Sequence, residues 1–189
     1  MTRGGMAVRP VLLFPDPRLK RKCAPIAQVT DEIRALAADM LETMYDEPGI
    51  GLAAPQVGEA IRLVVVDTTW TEEGAERSPL VLVNPEIVSR EGAITWNEGC
   101  LSVPDYQAEV ERAARVRLRA QDLDGKPVEI DAEELQAVCF QHEVDHLDGI
   151  LFIDRISRLK RSLYVNKRKK ELRREREEER GPHDPRVEL

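Results

Sequence analysis

Cysteine is scarce in this chain: three in 189 residues, at Cys23, Cys100 and Cys139. So odd and sparse a set argues against a disulfide framework and makes a reducing compartment the default. Long apolar runs are absent, so no segment is suited to span a bilayer. The short apolar stretch at 11–14 lies between Arg9-Pro10 and Pro15-Asp16-Pro17, which break up a signal-peptide core; a cytoplasmic protein is expected. Net positive charge is also lacking: the balance is −7, which argues against a nucleic-acid footprint over the whole surface. The length suits one well-filled core and is too short for two ordinary domains.

Histidine is as rare as cysteine, yet two of the three histidines fall in one pentapeptide, His142-Glu143-Val144-Asp145-His146. On a helix, residues four apart share a face, so His142 and His146 can point at one metal ion. Glu143 comes next to the first ligand, where its carboxylate can reach a metal-bound water. The bland alternative is a buried helix whose two histidines are satisfied by hydrogen bonds.

The flanking pattern places this string on a central helix. Asp131 and Glu134 read as a capping-box start, residues 132–146 are periodic, and Gly149 reads as the stop. Leu135, Val138, Cys139, His142 and His146 form one stripe. An earlier amphipathic helix spans 30–47, with Thr30 or Asp31 as N-cap and Pro48-Gly49 as the stop. Strand signals occupy 61–67, 80–88, 116–120 and 127–130, and Asp122-Leu123-Asp124-Gly125 joins the last two as a hairpin. Leu159 and Leu163 read as docking a further helical turn or two. Beyond them, 167–180 is almost wholly charged, basic first and acidic last, and 181–189 reads as frayed.

Two imidazoles are an incomplete catalytic site, which needs a third protein ligand and an open position. One protease pattern continues His-x-x-Gly-x-x-His; this chain matches as far as Gly149 but has Phe152 where the histidine would fall. Another uses a Glu on a following helix, here only in the charged tail, such as Glu171. His183 lies in the loose terminus. Cys100 is the better candidate, set in Glu98-Gly99-Cys100-Leu101-Ser102-Val103-Pro104 between a strand and a proline-ended turn; taken alone it would read as a small buried hydrophobe. Cys139 reads as pocket lining or core. Gln56 is the polar side chain in the apolar loop 49–58, and a buried amide can donate to a developing oxyanion.

Three segments, Gly49-Ile50-Gly51-Leu52-Ala53-Ala54-Pro55-Gln56, Glu98-Gly99-Cys100-Leu101-Ser102 and Gln141-His142-Glu143-Val144-Asp145-His146, resemble the signature motifs of the bacterial-type peptide deformylase family, in order. The resemblance runs over roughly residues 8–165. It implies hydrolysis of the N-formyl group from the terminal methionine of newly made proteins, releasing formate. Carried over, Cys100, His142 and His146 are metal ligands, Glu143 is general base and then acid, and Gln56 with the Leu101 N–H holds the oxyanion. The implied ion is Fe2+ in the cell, replaceable by Zn2+, Ni2+ or Co2+. Ile50, Leu135, Val138 and Cys139 are placed to line a methionine cavity, while Gly51 and Gly99 suit strand-like pairing with an extended peptide. Some members carry arginine where this chain has Gln107, so peptide preference past methionine is open.

The expected architecture is α+β: antiparallel sheets packed around the central motif helix, an N-terminal helix outside, and a C-terminal helical extension. Residues 1–165 form the catalytic domain and 166–189 a charged extension, partly helical or disordered. That extension reads as a solvated, alternately charged helix, with docking of its basic half on ribosomal RNA as the sharper alternative. A monomer is expected. The rival functions are a metallopeptidase and a non-enzymatic module with a structural metal.

Overall fold

The computed structural model of the chain describes residues 7–179. It divides into a unit ending at Arg155 and a second beginning at Ile156. In the first, α1 (Asp31–Asp46) precedes β1 (Gly51–Ala53), β2 (Leu63–Val66), β3 (Leu80–Glu91), β4 (Ile94–Cys100), β5 (Val103–Arg112), β6 (Arg115–Gln121), β7 (Pro127–Glu133) and α2 (Glu134–Leu147). The strands form an antiparallel five-stranded sheet in the order β1-β2-β3-β6-β7 and a separate hairpin, β4-β5. The α+β class is as expected.

Strand β2 shows how the sheet finds its two partners. All four residues are buried, and side chains alternate between faces. Leu63 and Val65 join Met40 and Met44 of α1 in one apolar cluster. Val64 and Val66 join Phe140, Val144 and Leu147 of α2 in the other. The sheet is thus covered by α1 on one face and α2 on the other, and its continuous apolar run reflects burial on both sides. On β6 the pattern is alternating, with Val116, Leu118 and Ala120 inside and arginines outside.

Local signals mostly hold. The Thr30 hydroxyl accepts from the Ile33 N–H at 3.4 Å and starts α1. In the 122–125 turn the Asp122 carboxylate accepts from the Asp124 and Lys126 N–H groups, and Gly125 has φ +77°. The capping box at α2 does not form. Strand β7 continues to Glu133 and α2 starts at Glu134 with φ +50°, while Asp131 instead pairs across the strands with Arg117. The hairpin's second strand, β5, was not expected, because Arg112 occupies an inward position where an apolar residue would mark the pattern.

The second unit contains α3 (Arg158–Glu179), one uninterrupted helix rather than a turn or two. Leu159 and Leu163, expected to dock, are 70% and 62% exposed. Ion pairs at helical spacing, Lys167–Glu171 and Arg173–Glu177, run along it. The boundary expected at 165 falls inside this helix. Gly181, Pro182 and His183 lie outside the described residues.

Candidate active site

Two periodicities aim the chemistry at one place. Along β4 the side chains of Trp96, Glu98 and Cys100 alternate with exposed Thr95, Asn97 and Gly99, so Glu98 and Cys100 share the inward face. On α2, His142 and His146 stand one turn apart, their ring centroids separated by 5.0 Å. Cys100 Sγ lies 3.3 Å from His146 Nε2, and one ligating atom from each of Cys100, His142 and His146 lies within 4.8 Å of the others. Donors 2.0–2.3 Å from a shared tetrahedral centre sit roughly 3.3–3.8 Å apart; the Cys100–His146 separation falls in that range, and the three residues together could hold one ion. Among the described residues it is the one such cluster of His, Cys, Asp or Glu. Glu171 is not part of it, and Phe152 packs its ring against His142 instead of supplying a ligand.

Behind these three residues runs a buried chain of alternating charge that sequence reasoning missed. His142 Nδ1 meets Glu98 Oε2 at 2.8 Å. A carboxylate only accepts, so Nδ1 donates and Nε2 is left for an ion. Arg112 grips Glu98 with two bonds, at 2.6 and 2.9 Å, and donates to Asp145 at 2.6 Å. Arg155 closes the chain on Asp145. Burial pushes the Glu98 carboxyl up, but the bonds from Arg112 and His142 outweigh it and hold it at about 2. Glu98 had a readable signal, two residues before Cys100 on the same strand face. Arg112 and Asp145 had none, because their pairing crosses from β5 to α2.

The proposed chemical groups converge as well. Gln56 is buried on the 3-10 turn at Ala54–Val57. Its Oε1 accepts from the Ala53 N–H at 2.9 Å, and its Nε2 donates to Ser102 Oγ at 3.1 Å, 3.7 Å from Cys100 Sγ. The amide is thereby held with its donor toward the sulfur. Leu101 begins the turn linking β4 to β5. Glu143 is buried, and its Oε2 is one of two buried side-chain polar atoms, with His146 Nδ1, that have no hydrogen-bond partner among the described residues. Burial pushes the Glu143 carboxyl up to about 7. Burial also raises the Cys139 thiol well above its ordinary value, so it stays a neutral apolar group.

A cavity of about 910 Å³ opens over these groups. Ile50, Gly51, Gly99, Leu135, Val138 and Cys139 all line it, together with Gln56, Cys100, Leu101, His142 and Glu143. Gly51 has a further role the sequence did not suggest: a Cβ there would lie 2.5 Å from Glu143 Oε1. Glycine is what lets the carboxyl pack against β1. Gln107 is at the rim, accepting from Asn97 at 3.0 Å.

A thiol, two imidazoles and a buried carboxyl at the floor of an apolar cleft are the working parts of a mononuclear metallohydrolase. Comparison with known proteins makes the class specific. A family model described as polypeptide deformylase matches residues 8–162. The chain is 59% identical over 168 residues to a peptide deformylase of Alkalilimnicola ehrlichii, covering 89% of this chain and 93% of that one. Its fold is similar to the crystal structure of a peptide deformylase from Legionella pneumophila, with TM-score 0.81, 44% identity and coverage of 89% and 98%. It is also similar to a class I type b peptide deformylase from Acinetobacter baumannii solved with Met-Ala-Ser bound, with TM-score 0.74, 37% identity and coverage of 80% and 100%. The chain belongs to the peptide deformylase family, metal-dependent enzymes that remove the N-formyl group from nascent chains.

Proposed function

We propose that Cys100, His142 and His146 hold one divalent ion, Fe2+ in the cell, and that the surrounding residues direct it at formyl-methionyl peptides. The observation that carries this reading is the meeting of the Cys100 sulfur with paired imidazoles beside a buried carboxyl. An ion held there supplies the positive charge that acidifies a water and polarises the formyl oxygen. Glu143 takes the proton from the attacking water and later delivers it to the departing amine, a task suited to a carboxyl pushed up to about 7. The Gln56 amide and the Leu101 N–H receive the oxyanion. Arg112, through Glu98, keeps His142 in the tautomer that presents Nε2.

The methionine side chain fits the apolar wall of Ile50, Leu135, Val138 and Cys139. The peptide backbone runs between Gly51 and Gly99, on strands that each have one partner, β2 for β1 and β5 for β4. The Met-Ala-Ser bound to the Acinetobacter protein is a peptide of the matching kind. Gln107, where some family members carry arginine, presents a neutral amide at the rim to the residues past methionine. We favour a monomer working in the cytoplasm, with α3 a solvated, ion-paired helix rather than a dock for ribosomal RNA. Co-sedimentation with ribosomes, full chain against a truncation at Ser157, separates the two; salt-sensitive binding lost on truncation would overturn the solvated reading.

The decisive assay measures formate from formyl-Met-Ala-Ser with anaerobically loaded protein, alongside cleavage of an unformylated peptide. Formate without internal cleavage is expected. Cleavage without formate would make the chain a peptidase.

A further inference from the structure

An imidazole ligand needs two restraints, a hydrogen bond in its plane and packing on its face. Glu98 supplies His142 with the first, at 2.8 Å. That bond alone leaves the ring able to rock about its Cβ–Cγ bond, since that torsion is broad. The face is closed by Phe152, whose ring centroid is 6.2 Å away with the planes at 26°. Phe152 in turn stacks on Tyr106, 6.1 Å away at 16°. Both separations lie within the range of offset stacking. Phe152 is fully buried, whereas Tyr106 is half-buried and lines the cavity. The stack therefore runs from the rim of the cleft to a ligand.

The segment carrying Phe152 is itself pinned. It forms a 3-10 turn over Phe152–Asp154, in which the Asp154 carboxylate accepts from the Leu151 N–H at 2.9 Å. Arg155 then ties the turn to Asp145, the neighbour of His146 on α2. Phe152 is thus held to the same helix as the ring it covers.

We propose that Phe152 is a positioning residue for His142, and that Tyr106 links the peptide-binding rim to that ligand through the stack. This inference rests on the reading of Cys100, His142 and His146 as the ion-holding set. It assigns to Phe152 a function other than core filling, and to Tyr106 an effect on the ion as well as on the peptide.

The test uses the full chain, stripped of metal and reloaded anaerobically with Co2+ in competition with a chromophoric chelator. The wild type should bind one Co2+ with a thiolate charge-transfer band. Phe152→Met conserves volume but removes the aromatic face; it should weaken Co2+ binding about tenfold and shift the visible bands, in the range seen for outer-shell partners of ligands. Phe140→Leu, a control at a buried aromatic position on α2 facing the sheet, should lower thermal stability and leave the spectrum unchanged. Tyr106→Ala should raise the KM for formyl-Met-Ala-Ser and weaken Co2+ binding by a smaller factor, with Tyr106→Phe restoring both. Wild-type affinity and bands in Phe152→Met would overturn the positioning role. A Tyr106→Ala effect confined to KM would overturn the link; if Phe152→Met does not fold, this half-buried variant decides. A wild type that binds Co2+ without a thiolate band would bring down the ion-site reading, and this inference with it.

Discussion

Helix α2 and the β4-β5 hairpin face each other across the site, and they build their halves in different ways. The helix places His142, Glu143, Asp145 and His146 within five consecutive residues, so one turn of backbone geometry brings both imidazoles and the carboxyl proposed to carry the proton together. The hairpin spreads Glu98, Cys100, Tyr106 and Arg112 along two strands, and each acts only after the strands pair and pack against α2. The helix supplies the two imidazoles and the buried carboxyl. The hairpin supplies the Cys100 sulfur and, through Glu98 and Arg112, most of the polar scaffold that holds His142 in place. Ligand spacing is thus a local property on one side and a tertiary one on the other.

Breaking the helical side should cost the most in turnover. Glu143→Gln removes the proton carrier and should lower kcat by about 10²–10⁴-fold while leaving metal content unchanged, read by steady-state assay and elemental analysis. On the 3-10 turn beside the hairpin, Gln56→Ala should lower kcat by about 10²–10³-fold, again with metal retained. Gly51→Ala crosses the divide, since a methyl 2.5 Å from Glu143 Oε1 must displace that carboxyl; a loss near 10²-fold is expected, with folding intact by circular dichroism. Glu98→Ala leaves the buried Arg112 with Asp145 as its one acid partner among the described ion pairs and frees His142, so the expected loss is stability of about 3 kcal/mol in urea unfolding and roughly 10–100-fold in metal affinity. Smallest is Arg119→Ala on the exposed face of β6, where loss of the pair with Glu129 should move stability by no more than about 0.5 kcal/mol. A Glu98→Ala protein with wild-type stability and metal affinity would erase the distinction between the two sides.

The same contrast explains what the sequence made legible. Helix α1, the 122–125 turn and the motif helix follow from local periodicity and turn chemistry, and all are present. The approach of Cys100 to the two imidazoles was readable because a third donor was sought and the chain offers few. Glu98, Arg112 and Asp145 were not, because ion pairing between elements leaves no periodic trace, and an inward Arg112 even disguises β5. Phe152 was noticed only as the place where a third histidine was missing; its ring on His142 depends on how the chain turns after α2. In the tail, composition left helix and coil undivided: the charged stretch was read as partly helical or disordered, and high intrinsic helix propensity with ion pairs at i+4 carries α3 to Glu179.

X-ray absorption at the metal edge of the zinc-loaded protein probes the meeting of hairpin and helix most directly. One sulfur at about 2.3 Å and two imidazole nitrogens at about 2.0–2.1 Å, with a light atom completing the shell, is the expected result. A shell without sulfur, or one closed by a fourth protein ligand, would contradict the account.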